Sequence, residues 1–331
     1  MSEPIDPIRW GILGTGNIAH SFAKGLAALP DAQLQAVGSR QQVTADAFGA
    51  EFSVPNCHSS YEALADDGDV DVIYVATPHT SHSENTIRCL EAGKPVLCEK
   101  PFALNAGQAE RMIGAASSRG LFLMEAMWTR FVPAVAKTRE WIASGAIGPV
   151  KAVLADMGFR ARFDPASRLF NPDLGGGALL DLGVYPVSFA SMILGAHPVE
   201  VSALAQFGNT GVDEDCAVML KYESGALATA HCTVGARTPT EARIIGEEGW
   251  IEVHPPFYAA TTATLHRSGG DVEEAPLPLT GNGYNYQAAA VMECLRAGEL
   301  QSSIMPLDES LAIMQLLDRI RADIGLVYPG E

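Results

Sequence analysis

A chain of 331 residues that is 47% hydrophobic and 18% charged has the balance of a packed globular protein of about two domains, which excludes disordered and fibrous classes. Its 22 Lys+Arg against 39 Asp+Glu leave a formal net charge of −17. The long-range field therefore repels nucleic acid and anionic membrane surfaces, neither is expected as a partner, and any anionic ligand must be captured locally.

Taken in chain order, the first third alternates short apolar runs with helix-length stretches. Ile8 to Leu13, Leu34 to Gly38, Val72 to Ala76 and Val96 to Cys98 are rich in Val, Ile and Leu, as parallel strands covered on both faces should be. Ile18 to Leu29, Thr80 to Ala92 and Ala106 to Ser118 lie between and after them. Strand and helix repeated at this spacing predict right-handed crossovers and a doubly wound sheet. After about Phe131 the pattern changes to one long helical stretch, Ala178 to Leu194, followed by strand-like runs joined by Gly, Asn, Asp and Ser turns. Tyr286 to Ala297 and Leu307 to Ile324 read as closing helices. The expected architecture is an α/β Rossmann domain over residues 1–126 and an α+β domain with a large, mostly antiparallel open sheet over residues 127–331. No apolar run approaches the ~20 residues of a spanning helix, and the acidic, proline-containing start does not resemble an export signal, so a cytoplasmic location is expected. The cysteines at 57, 89, 98, 216, 232 and 294 form no Cys-x-x-Cys pair and read as reduced thiols, with no metal site.

The segment Gly11 to Ala19 ends the first strand and opens the first helix. Gly14 permits a tight turn, Gly16 lets the backbone approach a pyrophosphate, and Ala19 allows close packing of helix on strand. The free N–H groups of Thr15, Asn17 and Ile18 at the positive end of the helix then face the phosphates. The end of the second strand selects the dinucleotide. An NAD site carries a carboxylate there to accept from the ribose hydroxyl; this chain has Ser39 and Arg40, which suit a 2′-phosphate. NADP is expected in preference to NAD.

Ligands of open α/β sheets bind at the carboxyl ends of the strands, where Lys100 follows Glu99 and precedes Pro101. Alcohol oxidation needs a hydride acceptor and a group that takes the hydroxyl proton. A tyrosine near its reference pKa of about 10 is a poor base, but a nearby ammonium lowers it, and Lys100 with Tyr185 supplies that pair. Asp181 precedes Tyr185 by one helical turn and could hold Lys100 or bind a substrate hydroxyl. Pro186 leaves the Leu182 carbonyl without its usual helical donor, which predicts a kink or late helix start. His79 and His82, after the fourth strand, lack a third metal ligand and suit helix-start or cofactor contacts. Arg160 and Arg168, before the glycine run, read as solvated by default, with contact to a polar substrate as the alternative.

Four strings carry a family resemblance: the Gly-x-Gly-x-x-Ala loop at 14–19; Ala76-Thr77-Pro78-His79-Thr80-Ser81-His82; Glu99-Lys100-Pro101; and Gly175-Gly176-Gly177-Ala178-Leu179-Leu180-Asp181-Leu182-Gly183-Val184-Tyr185-Pro186. In this order and spacing they resemble the glucose-fructose oxidoreductase/inositol dehydrogenase (Gfo/Idh/MocA) family over essentially the whole chain. Phe122 to Phe131 and Tyr185 look most like its NADP-dependent trans-dihydrodiol and D-xylose dehydrogenase branch. The wider family often has histidine where this chain has Tyr185, which argues against a myo-inositol substrate.

The resemblance implies an NAD(P)-dependent dehydrogenase exchanging hydride with a sugar or vicinal diol hydroxyl. Catalysis would rest on Lys100, Tyr185 and Asp181, with proton transfer assigned to either of the first two. Thr77, Pro78, His79, His82, Glu99 and Lys100 would join Gly14, Thr15, Gly16, Asn17, Ile18, Ser39 and Arg40 around the cofactor. Trp128, Met157, Phe257 and Tyr284 would line an apolar substrate pocket, and the open sheet face would build a homodimer or higher homo-oligomer. The alternative is a non-enzymatic nucleotide- or sugar-sensing protein of the same fold, disfavoured by retention of Lys100, Asp181 and Tyr185. A tightly held cofactor shuttling between two sugars usually comes with an N-terminal arm or export signal; only about eight residues precede the first strand, so free exchange is preferred.

Overall fold

The computed structural model describes residues 6–329 and 331, which form two compact units. The first begins with β1 (Ile8–Leu13), α1 (Asn17–Leu26), β2 (Ala32–Gly38), α2 (Gln42–Phe52), β3 (Asn56–His58) and α3 (Tyr61–Ala65). It continues through β4 (Val72–Val75), α4 (His82–Glu91), β5 (Val96–Glu99), α5 (Ala106–Arg119) and β6 (Leu123–Ala126). The strands are parallel throughout, in the order β3-β2-β1-β4-β5-β6. Every residue of β4, β5 and β6 is buried, as helices on both faces require. The order reverses between β1 and β4, and their C-terminal ends open the crevice in which doubly wound sheets bind ligands.

The second unit carries α6 (Pro133–Ala143) and β7 (Val150–Gly158), then a π-turn at Leu179–Gly183 leading into α7 (Val184–Leu194). Its remaining strands are β8 (Glu200–Phe207), β9 (Asp213–Lys221), β10 (Leu227–Thr233), β11 (Ala242–Gly246), β12 (Gly249–Val253), β13 (Thr262–Arg267) and β14 (Val272–Pro276). They form one sheet in the order β14-β13-β12-β11-β7-β10-β9-β8, antiparallel except where β10 runs parallel to β7. Along β9 the side chains alternate between buried Cys216, Val218 and Leu220 and exposed Ala217, Met219 and Lys221, so one face is core and the other open. The π-turn and α7 pack on the buried face, with every residue from Ala178 to Ser191 buried. The stretch Pro172–Leu194 is, against the sequence expectation, long and apolar enough to cross a bilayer. Its apolarity has a different cause, for 83% of its most apolar window lies inside the protein as a core helix.

The last two helices are α8 (Tyr284–Ala297) and α9 (Leu307–Ile324). Residues Thr280–Ser310 group with the first unit, while Met127–Leu279 and Leu311–Glu331 form the second. A single cut after residue 126 leaves out this return. Its reason is a fitted contact: a Cβ on Gly25 of α1 would lie 2.7 Å from Asn282 Oδ1 and 2.9 Å from Tyr284 Cβ. Only glycine lets α8 approach α1 so closely, and the Asn282 amide donates to Ser21 O at 2.8 Å. The backbone of Leu123 in β6 also donates to Leu300 O.

Candidate active site

In the first unit, the turn after β1 fits a dinucleotide phosphate. Gly14 has φ +111°, and a Cβ there would meet Ala76 O at 2.7 Å, so glycine allows the loops after β1 and β4 to touch. A Cβ on Gly16 would meet nothing within 4 Å, so the backbone lies open to a ligand. Helix α1 starts at Gly16 with no side-chain cap and no acidic residue in its first turn. Its terminal N–H groups and positive end are thus uncompensated by the protein, the condition for an anion to bind there. Thr15 and Ile18 are half-buried and Asn17 is exposed beside the turn. At the end of β2, Ser39 is buried with its hydroxyl 2.5 Å from Thr44 Oγ1, and Arg40 is exposed. The Arg40 charge reaches Tyr61, offsetting part of the rise that burial imposes on that phenol.

The loops after β4 and β5 are tied together by His82, which is fully buried. Its Nε2 lies 2.8 Å from Thr77 O and its Nδ1 2.8 Å from Pro101 O. Two carbonyls welcome a proton, but burial and the Lys100 ammonium oppose it more strongly, and the imidazole is pushed down to about 4. His82 opens α4 as the helix-start reading expects, and its neutral ring, with one N–H, donates to one of these two carbonyls while the other nitrogen lies against the second. Thr77 accepts from Asn85 through its hydroxyl; Pro78 is exposed and His79 buried at the same loop. Lys100 stands at the end of β5, half-buried, and its N–H donates to Glu99 Oε2 at 3.2 Å. Buried Glu99 also accepts from the Tyr74 hydroxyl, and buried Glu125 accepts from Phe102 N at 3.1 Å. These bonds fix the strand end from which the lysine projects.

In the second unit, Asp181 and Tyr185 are both buried. Val184 N donates to Leu179 O, five residues back, which widens the turn just before the donor-less Pro186. The expected kink is realised as a π-turn, a distortion frequent at functional sites. A Cβ on Gly183 would lie 2.8 Å from Cys232 Sγ, so glycine seats this turn on β10. Asp181 is held by Arg168, at 2.6 Å to Oδ1 and 3.2 Å to Oδ2. Arg168 is exposed, as expected, yet its guanidinium fork matches the geometry of the buried carboxylate it pairs with. Buried Arg130 donates to Ser188 Oγ at 3.1 Å and Ser188 O at 3.0 Å, anchoring α7 from its second turn.

The Tyr185 hydroxyl accepts from the Trp128 indole at 3.1 Å. Tyr258 closes an aromatic group with both, its ring centroid 5.8 Å from Trp128 and 5.7 Å from Tyr185. Phe257, the expected pocket residue, is instead fully buried and packs edge-on against Phe189. The neighbouring Tyr258 is the side chain that reaches Tyr185. Met157 pairs in register with Cys232 across β7 and β10. Tyr284 opens α8 in the first unit, against α1. Tyr258 and Arg130 were not singled out as site residues from sequence, and Arg168 only as a possible contact to a polar substrate. Among the described residues no group of three or more His, Cys, Asp or Glu is placed to hold a metal ion, and all six cysteines are free.

Residues 8–127 match an oxidoreductase family with an NAD-binding Rossmann fold, and residues 135–252 match the GFO/IDH/MocA C-terminal domain. The trans-1,2-dihydrobenzene-1,2-diol dehydrogenase of Mus musculus is 38% identical over 335 residues, covering 98% of this chain and 99% of its own. That of Danio rerio is 39% identical over 332 residues with the same coverage. Among solved structures, an aldose-aldose oxidoreductase from Caulobacter crescentus, complexed with glycerol, superposes with TM-score 0.88 at 27% identity, covering 96% of this chain and 97% of that one. A 3-ketoreductase from Actinomadura kijaniata, in complex with NADP and TDP-benzene, gives TM-score 0.86 at 28% identity, with 96% and 98% covered.

Proposed function

This chain belongs to the GFO/IDH/MocA oxidoreductase family, and from that premise we propose that it is an NADP-dependent dehydrogenase of vicinal diols or aldoses, working in either direction. The observation that carries this reading is the likeness, over 98% of the chain, to dihydrodiol dehydrogenases in a sequence that keeps Lys100, Asp181 and Tyr185. A bound nicotinamide supplies hydride exchange with the substrate carbon. The turn at Gly14 and Gly16 and the start of α1 would hold its pyrophosphate, and Arg40 its 2′-phosphate. Lys100 and Tyr185 share the acid–base work: the substrate hydroxyl gives its proton to the tyrosine oxygen during oxidation, and the lysine charge favours the phenolate that receives it. The Trp128 indole, already donating to that oxygen, orients it and strengthens the same preference. Asp181, locked by Arg168, is fixed one turn away to accept from a neighbouring substrate hydroxyl. Trp128 and Tyr258 offer apolar faces to the carbon skeleton of a ring substrate.

The open face of the second sheet exposes Leu204, Met219 and Leu227, and we assign it to a homodimer contact; a cytoplasmic location completes the reading. The test is a panel of aldoses and cyclic trans-diols assayed with NADP and with NAD. Turnover with at least one class, faster with NADP, is expected. Tight nucleotide binding without turnover on any member would transfer the assignment to a sensor.

A further inference from the structure

The glycine run before the π-turn closes around a carboxylate that has no part in the chemistry assigned so far. Asp213, the first residue of β9, is fully buried. Its Oδ2 accepts from the backbone N–H of Leu179 at 2.7 Å, the first residue of the turn that carries Asp181. Its Oδ1 has no hydrogen-bond partner and faces Gly177, where a Cβ would lie 2.2 Å away. Gly177 also has φ +125°, so no other residue fits there. A Cβ on Gly176 would meet the carbonyl oxygens of Asn171, Arg168 and Leu169 at 2.8 to 2.9 Å, and Gly176 O accepts from the Tyr328 hydroxyl at 2.7 Å. The glycines are thus shaped to bring the turn onto Asp213, and a surface cap would require none of this.

We infer that Asp213 is a positioning residue of the reaction, whose buried carboxylate fixes the start of the turn carrying Asp181 and Tyr185 by capping Leu179. The inference rests on the proposed oxidoreductase chemistry. Asp213 reaches neither group directly and acts through the backbone of the turn; π-turn and helix starts have unsatisfied N–H groups, and an ionised oxygen is their strongest acceptor. Burial pushes the Asp213 carboxyl up to about 7, against the pull of the Leu179, Asp213 and Ala178 N–H groups and of Arg321. The charged and titratable groups that act on it are Arg321 from α9, itself paired with Asp318 and Glu331, Tyr328 from the C-terminal segment and Cys232 from β10, while Asp181 and Glu331 act on Tyr328 beside it. Positioning should therefore tighten as pH rises through neutrality, when the better acceptor forms.

Asp213→Ala removes the acceptor, whereas Asp213→Asn keeps an oxygen but cannot ionise. In Asp213→Ala, kcat should fall about 10–100-fold, the scale of a displaced catalytic group, with KM for NADPH within about twofold. Asp213→Asn should recover most of that loss while losing the wild-type bend in kcat near neutral pH. Hydrogen exchange over Leu179 to Gly183 reads the same capping without turnover, and should accelerate in Asp213→Ala only. An alanine variant with wild-type kcat and unchanged exchange would overturn the inference, as would an asparagine variant as poor as alanine. If alanine fails to fold, an asparagine variant with the wild-type pH profile overturns it equally. Wild-type protein inactive on the whole substrate panel sinks the proposed function instead, and the exchange result then decides for Asp213 alone.

Discussion

The indole N–H of Trp128 donates to the hydroxyl of Tyr185 at 3.1 Å, with both side chains buried. A donor aimed at a buried phenol oxygen strengthens as negative charge develops there. Trp128→Phe keeps most of the apolar surface and removes the donor. Turnover should drop about 10-fold or more, since hydrogen bonds to charged groups are worth roughly 1.5–3 kcal/mol, while cofactor affinity stays unchanged. Steady-state kinetics on the best substrate of the panel check this; an unaltered kcat would reduce Trp128 to a wall of the pocket.

Tyr185→Phe removes the proposed proton acceptor and should cut kcat by about 10²-fold or more, the usual contribution of an acid–base group. NADPH binding, followed by quenching of protein fluorescence, should be nearly intact. Lys100→Met should abolish turnover with little change in melting temperature, because the lysine is half-buried and the bonds around Glu99 and Glu125 survive its loss. Retained activity in either variant would move the chemistry elsewhere.

Much of this was legible in the sequence where a residue's reason is local. Gly14, Gly16 and Ala19 declare a tight turn and a close helix, and the strand order around them is the one that such a loop implies. Pro186 announces a broken helical ladder, and the π-turn at Leu179–Gly183 is its outcome. What could not be read depends on distant partners or on parity. Phe257 and Tyr258 follow two prolines in a segment outside any strand, so no period-two alternation says which of them faces Tyr185. Asp213 lies in an acidic run that resembles a turn, and only the fold shows it buried against Gly177. Nothing local to Gly25 shows that the start of α8 packs against it. Arg168 stands thirteen positions before Asp181, and only the fold shows its fork on that carboxylate.

The neutral state of His82 gives a signed pH dependence. Its imidazole sits at about 4 in the fold against 6.5 unperturbed, so the unfolded chain takes up the proton first. The stabilising contribution is complete above pH 6.5 and is lost as pH falls towards 4, to a ceiling of about 3 kcal/mol at roughly 1.4 kcal/mol per pH unit. Urea melts of wild type and His82→Gln between pH 4 and 8 should show a steeper acid limb in the wild type. Parallel curves would mean that the proton enters His82 without cost and that the brace between Thr77 and Pro101 tolerates charge.

Arg40 offers the cleanest test of cofactor choice, because it is exposed at the end of β2 and its replacement touches little of the core. Surface substitutions of this kind leave stability within about 0.5 kcal/mol. Arg40→Asp would withdraw the positive charge proposed to meet a 2′-phosphate and install the carboxylate that an NAD site presents to the ribose hydroxyl, so both changes act in the same direction. The ratio of kcat/KM for NADP over NAD should fall roughly 5- to 150-fold, the equivalent of about 1–3 kcal/mol. Ser39 does not compensate, since its hydroxyl is already engaged with Thr44 Oγ1. An unchanged ratio in a fully folded variant would separate Arg40 from the phosphate and leave the choice between the two dinucleotides to other residues of the crevice.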